Sequence, residues 1–438
     1  GNDVGQARDK IELPAGKQHE SLATIGVAKP RLWSPGTPTL YNASIEVSQN
    51  DQIRDTVTKS FGIRSIEYSA EKGFVLNGQP VNMNGGCVHH DNGCLGAKAY
   101  DAAEYRKAKL LKDAGYNSVR TAHNPPSEAF LDACDKIGLL VIDESFDGWR
   151  TKKKDHDYAK YFDQWAKRDV QAMVLRDRNH PSVVMWSTGN EIMEREEPRA
   201  VETAQMLAAA VKEIDATRPV TSAMTTWNEQ WAMFDPLMAA HDVCGYNYTI
   251  QHAESDHQRV PSRVIVQTES YPRDAFSNWK KVQTHDYIVG DYVWTAMDYL
   301  GESGIGRNVY PGELKGEHWE GDFFPWHGAW CGDIDLIGWR KPISHYRSLL
   351  WNKDETLFLA VREPQPENGE ITETTWSVWP TWESWTWPGR EGKEIEVEVY
   401  SRHPKVRLLL NDNVIGERPT TETEEFKATF RLPYQPGV

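Results

Sequence analysis

A chain of 438 residues is too long for one ordinary core and fits about three domains. Its net charge of −15 argues against nucleic acid or an anionic membrane as partner, because phosphate binding needs a basic surface; a neutral ligand is the simplest expectation. The five cysteines, Cys87, Cys94, Cys134, Cys244 and Cys331, are scattered without a CxxC pair and read as isolated thiols. No apolar run reaches the roughly 18 residues that a membrane span needs. The chain does not start with Met and both ends fall in strand-like sequence, so it reads as an excised fragment whose compartment and oligomeric state are not legible.

Residues 1–66 contain short strand-like pieces at 10–13, 41–47 and 56–61, with SPGTP (34–38) as punctuation. The alternation of Ala43, Ile45 and Val47 suits a half-buried antiparallel strand, and the segment reads as a β-sandwich. From 67 to 352 apolar strands alternate with amphipathic helices. Strands are expected at 81–88, 118–121, 139–142, 184–191, 220–223, 243–246, 264–268 and 292–296. Between them Phe130, Cys134 and Ile137, and again Leu207, Val211 and Ile214, mark helix faces. Eight strands in this alternation predict a (β/α)8 barrel, whose chemistry sits at the carboxyl ends of the strands. Residues 353–438 return to period-two patterns (Ile395, Val397, Val399; Phe426, Ala428, Phe430) and read as a second sandwich. Trp376, Trp379, Trp382, Trp385 and Trp387 crowd its start, where they can pack a domain junction or stack on sugars.

Two strand ends carry the chemistry. VMWSTGNE (184–191) delivers Asn190 and Glu191 side by side, and VIVQT (264–268) is closed by Glu269. Cleaving a glycosidic bond takes one carboxyl group to protonate the leaving oxygen and another to attack or stabilise the anomeric carbon, so Glu191 is read as acid/base and Glu269 as nucleophile. Other polar residues gather at the same barrel end. His89, His90 and Asp91 follow the first strand and are compatible with a metal site or with hydrogen bonds to sugar hydroxyls. Arg120 and His123 follow the second strand, Asp143 and Glu144 the third, Tyr246 and Tyr248 the sixth, and Trp294 lies on the eighth. Arg120 can hold the nucleophile ionised or pair structural carboxylates. Trp294 can form a floor under a sugar ring or fill the barrel core.

Taken together these segments resemble glycoside hydrolase family 2, the β-galactosidases, β-glucuronidases and β-mannosidases, and above all its bacterial β-galactosidase branch. LWSPGTPTLY (32–41) and FGIR (61–64) resemble the family's immunoglobulin-like domain and its exit. LNGQPVNMNGGCVHHD (76–91) resembles the first barrel strand, and SVRTAHNPPSEAFLDACDKIGLLVIDES (118–145) the second and third. WSTGNE (186–191) resembles the acid/base signature and QTES (267–270) the nucleophile strand. The resemblance implies a (β/α)8 barrel at 67–352 flanked by an immunoglobulin-like β-sandwich at 1–66 and a further sandwich at 353–438. It implies a retaining mechanism through Glu269 and Glu191. It also implies that His89 and His123 meet substrate hydroxyls, that Arg120 and Tyr248 lie near the nucleophile, that Asn190 meets the 2-hydroxyl, and that Trp294 lies beneath the sugar; Asp91 is a further substrate-binding candidate from its place after the first strand. Tyr246 shares the strand parity of Tyr248.

Departures from the family pattern narrow the expectation. WTAMDYLGESG (294–304) is followed by no Asn-x-Lys pair of the kind that holds a uronic acid carboxylate. DESFDGW (143–149) stands where metal-binding relatives carry Glu-x-His. No cofactor or metal is therefore expected, and the substrate is a glycoside or oligosaccharide. The family's amino-terminal sugar-binding-like sandwich, which often lends the pocket a loop, has no counterpart here. The competing readings are a β-glucuronidase or another specificity on the same machinery, and a non-catalytic carbohydrate-binding fragment.

Overall fold

A computed structural model describes residues 3–226, 230–315 and 327–437. Eight parallel strands close into a barrel: β1 (Met83–Val88), β2 (Ser118–Thr121), β3 (Leu140–Glu144), β4 (Val183–Asn190), β5 (Val220–Met224), β6 (Cys244–Asn247), β7 (Ile265–Ser270) and β8 (Ile288–Val293). The last pairs with the first through Gly290↔Met83 to Val293↔Gly86. Helices follow in alternation: α1 (Asp101–Asp113), α2 (Glu128–Ile137), α3 (Phe162–Asp177), α4 (Pro198–Lys212), the single turn α5 (Asp235–Met238), α6 (Ala253–Arg259), α7 (Ala275–Thr284) and α8 (Pro342–Trp351).

Strand parity sorts the barrel into two apolar layers. Leu140 and Ile142 join Met83, Cys87, Val184, Val266 and Tyr292 in the interior cluster, whereas Val141, Val119, Val183 and Ile265 face the helices. The α2 helix shows how local sequence sets an element's limits. Ser127 caps it by accepting from Phe130 N at 3.1 Å, and Gly138 ends it in left-handed backbone at φ +84°.

The eighth strand runs 288–293, earlier than the expected 292–296. Gly290 is not a turn residue there: a Cβ would stand 2.6 Å from Met83 O, so the glycine is what lets β8 close on β1. Trp294 therefore lies just past the strand.

The amino-terminal part differs from expectation at 10–13, where Lys10, Ile11, Glu12 and Leu13 form no strand and are exposed. Its strands are Tyr41–Gln49 and Gln52–Phe61, one antiparallel hairpin. The segment is tied to the barrel by Trp33, fully buried, whose Nε1 donates to Asp135 O at 2.8 Å. Arg64 also donates to the carbonyls of Pro181 and Val183 at the start of β4. A three-stranded sheet, Ile66–Ser69, Gly73–Leu76 and Gln79–Pro80, adds Phe74 and Leu76 to the interior cluster.

After α8, Thr381–Trp382, Leu357–Arg362, Glu394–Ser401 and Lys427–Pro433 form one antiparallel sheet in that order. The hairpin Lys405–Leu410 and Asn413–Pro419 lies beside it. Ile395, Val397, Val399, Phe430 and Leu432 form a core between them, with Val406, Leu408, Trp385 and Trp387 packed against it. A separate cluster holds this part to the barrel: Tyr346, Leu349 and Leu350 of α8 and Ala275 of α7 pack with Tyr400 and Phe426.

Candidate active site

The site forms at the carboxyl ends of the strands, and irregular pairing aims its two glutamates. On β7, Val266 faces the interior and Ile265 the helices, so strict alternation would point Glu269 outward. The pairing with β6 slips by one residue between Tyr246↔Gln267 and Asn247↔Glu269. This bulge turns Glu269 into the pocket, which is a common use of bulges beside functional sites. On β4 the pairing with β5 slips likewise, between Thr221↔Ser187 and Ala223↔Asn190. Glu191 follows in left-handed backbone at φ +43°, a conformation that costs a non-glycine residue energy. Gly189 has to be small, because a Cβ would stand 2.7 Å from Trp149 Nε1.

Arg120, fully buried on β2, organises what these strands deliver. Its Nε and Nη2 donate to both oxygens of Glu144 at 2.8 to 3.0 Å. Nη1 donates to Glu269 Oε1 at 2.9 Å and Nη2 to Asn190 Oδ1 at 2.9 Å. Glu144 is further held by Ser187 Oγ at 2.7 Å and by His123 Nδ1 at 2.8 Å. Since a carboxylate only accepts, Nδ1 carries the proton in that contact. Asn247 ties Glu191 to Asn190: its Nδ2 donates to Asn190 Oδ1 at 3.0 Å and to Glu191 Oε1 at 3.2 Å, and its Oδ1 accepts from Thr268 Oγ1 at 2.6 Å. Tyr248, at φ +59°, stacks on Tyr271 with ring centres 4.5 Å apart, and its hydroxyl bonds to Glu269 and accepts from Trp376 Nε1 at 2.9 Å.

These contacts set the charges. Burial pushes the Glu269 carboxyl up to about 7 against the pull of Arg120, and the neighbouring Glu191 adds to the push. Burial opposes ionisation of Glu144 too, but Arg120 and His123 outweigh it and its pKa lies below the ordinary value. Burial resists a charge on His123, yet the bond to Glu144 and the nearby Asp147 raise its pKa. Asp147 is drawn down to about 2: burial works against this, and His123 and Lys153 prevail, the latter at 2.7 Å. Burial and His123 hold His89 well below the usual histidine value.

The remaining sequence candidates divide. His123 lies flat on Trp294, ring centres 5.0 Å apart and planes within 6°, so one face of this nearly buried tryptophan is covered by a histidine. His89 stacks on Tyr299 at 4.1 Å and meets Trp294 edge-on at 5.4 Å, and its Nε2 is buried without a partner among the described residues. Asp91 turns away to accept from Leu300 N at 3.2 Å, and His90 is exposed, so the His89, His90, Asp91 run does not converge on one point. The three-ligand grouping found elsewhere, Asp132, Asp135 and His180, lies at the opposite barrel end, where His180 Nδ1 is 2.7 Å from Asp135. Tyr246 belongs to the helix-facing layer and bonds Asp256, which separates it from Tyr248.

Sequence reading gave no role to Asp147, Asn247 or Tyr271, and placed Trp376 only among tryptophans that pack a domain junction or stack on sugars, not at the catalytic pocket. Asp147 and Asn247 were within reach of it, since each lies at or just past a barrel strand end. Trp376 was not, because it arrives from another part of the chain.

A barrel with paired carboxyl groups at the ends of two of its strands is an arrangement suited to glycoside chemistry. The comparisons with known proteins agree with it. "Glycosyl hydrolases family 2, TIM barrel domain" matches residues 69–309, more than half of the chain, and "Glycosyl hydrolases family 2" matches residues 1–64. Residues 392–438 match a domain of unknown function. The chain belongs to glycoside hydrolase family 2.

Among its relatives, β-galactosidase BoGH2A of Bacteroides ovatus is 30% identical, over 100% of this chain and 55% of that protein. A β-glucuronidase of Bacteroides fragilis is 25% identical over 95% of this chain and 64% of its own length. The crystal structure of a family 2 member from Bacteroides cellulosilyticus is 43% identical with a TM-score of 0.87, covering 94% of this chain and 52% of that one. The chain thus spans about half the length of the first of these relatives and of that structure.

Proposed function

We propose that this chain carries the catalytic centre of a retaining exo-β-glycosidase that acts on β-galactosides by double displacement. The observation that carries the reading is the buried Arg120, which pairs Glu269 while Asn247 joins Glu191 to the same network. Glu269 attacks the anomeric carbon and forms a glycosyl-enzyme ester as the glycosidic C–O bond breaks, and Glu191 gives its proton to the departing oxygen. Water then attacks the same carbon, Glu191 takes the water's proton, and Glu269 leaves as carboxylate. Arg120 favours the ionised nucleophile, and Asn190, held by Arg120 and Asn247, offers its amide to a ring hydroxyl.

Galactose is favoured over a uronic acid by the pairing of the pocket's described cations. Arg120 is committed to Glu144 and Glu269, and Lys153 to Asp147 and the Asn190 carbonyl. The Bacteroides ovatus relative that aligns with the whole chain is also named a β-galactosidase. Proton NMR during hydrolysis of an aryl β-galactoside tests the proposal. The β anomer of the sugar is expected first, and the α anomer first would overturn double displacement.

A further inference from the structure

A cavity of about 360 Å³ lies apart from the paired glutamates, between the barrel and the carboxyl-terminal sheet. It falls within the size range of ligand pockets, roughly 300–1,000 Å³, and at a domain junction, where such pockets concentrate. Its walls come from both sides. Arg273, just after β7, and Trp330 and Trp339, after β8, face Trp379, Trp382 and Lys427 of the carboxyl-terminal part.

The aromatic rings are fixed rather than merely present. Trp382 stacks on Trp339 with ring centres 5.8 Å apart and planes within 10°. Its Nε1 donates to Glu363 Oε2 at 2.8 Å, and Trp379 Nε1 donates to Glu363 O at 3.0 Å. Even so, Trp330 and Trp382 keep 37% and 36% of their surface exposed, so junction packing leaves ring surface over. The Lys427 ammonium rests 3.8 Å from the centre of the Tyr346 ring and has no ion pair among the described residues. Oriented ring faces beside cationic N–H donors are suited to pyranose units, whose C–H faces pack on aromatics while their hydroxyls take hydrogen bonds.

The cleft also adjoins the catalytic centre. Trp376 lines it and at the same time donates to the Tyr248 hydroxyl, which bonds Glu269. We infer that this cleft binds the sugar units that lie beyond the bond being cut, so that the natural substrate is an oligosaccharide of several units rather than a simple glycoside. The inference rests on the glycosidase reading above: an exo-acting pocket takes one terminal sugar, and the rest of the chain leaves through the side that Trp376 borders.

The test is the dependence of affinity on chain length. Glu269→Gln protein, in which turnover is blocked, is titrated calorimetrically with β-1,4-linked galactose and glucose oligosaccharides of two to five units. Affinity is expected to rise at least tenfold from two units to five in one of the series. The rise should flatten to less than threefold when Trp382→Ala is added, and likewise with Lys427→Met, a second variant in case the first does not fold. Length-independent binding of both series, or an undiminished rise in both folded variants, would overturn the inference. Hydrolysis of an aryl β-galactoside by the unsubstituted protein is run beside it. Its failure strikes the proposed function, whereas active hydrolysis with flat length dependence strikes only the cleft.

Discussion

At the scale of single residues, the pocket's main device is one arginine serving two carboxylates of different character. Glu144 is saturated by Arg120, His123 and Ser187, whereas Glu269 has fewer donors and sits beside Glu191. A nucleophile must be ionised, and burial lifts Glu269 to about 7. The kcat/KM of the proposed reaction should therefore fall as pH drops below about 7. Glu191→Gln removes the negative charge that helps lift Glu269 and should move this acid limb to lower pH, measured with an aryl glycoside whose leaving group needs no proton. An unmoved limb would mean that the two carboxyl groups do not sense each other. On the same substrate Glu269→Gln should lose more than about a thousandfold, and near-normal turnover would remove it as nucleophile.

Much of this was legible in the sequence because strand ends in a barrel all face one way. That rule gathered Glu191, Glu269, Arg120, His123, Asn190 and Tyr248 among other strand-end residues, and the resemblance to the family selected them. The actual aim of each side chain was not legible, since strict alternation on β7 predicts Glu269 outward and only the slip against β6 turns it in. The direction Asp91 takes was not legible for a related reason: it follows a strand, but one oxygen of its carboxylate accepts from a loop backbone, Leu300 N.

At the scale of elements, β3 shows how one strand serves both layers. Glu144 points inward to Arg120, while its neighbour Asp143 is buried against Asp177 at the end of α3. Arg176 already holds Asp177 with two bonds, and neither Asp143 oxygen receives a donor among the described residues. Burial, then Asp177, raises the Asp143 pKa well above the ordinary value, so the neutral acid donates to the Asp177 carboxylate. A folded-state pKa above the unfolded one gives a stability contribution that is complete below the unfolded value and is lost as pH rises through the folded value. Asp143→Asn copies the neutral form. It should leave stability at pH 4 nearly unchanged and add about 1–3 kcal/mol at higher pH, read from urea denaturation across that range. A loss that grows as pH rises would instead show that the aspartate is needed ionised.

At the scale of the whole molecule, the carboxyl-terminal sheet is joined to the barrel in two ways that bear on function differently. The segment 376–382 reaches the catalytic face through Trp376, and a separate aromatic contact anchors the sheet on α7 and α8. Sequence alternation revealed the sheet, but not that its leading segment closes the pocket wall; that contact spans 128 positions, from Trp376 to Tyr248. Phe426 is the centre of the anchoring contact. Its ring lies 6.0 Å from that of Trp279 and 4.4 Å below the Arg402 guanidinium, and the adjacent Glu425 carbonyl accepts from Tyr346 at 2.8 Å. Truncating a buried phenylalanine costs about 3–5 kcal/mol, here at a junction rather than in the barrel core. Phe426→Ala should accordingly split thermal unfolding into an early transition of the sheet and a later one of the barrel. Between them, hydrolysis of an aryl galactoside should drop about fivefold, as Trp376 loses its support and Tyr248 its donor, worth about 1 kcal/mol. A single unshifted transition would show that the contact contributes little. Early melting of the sheet with undiminished turnover would show that Trp376 holds its place without it.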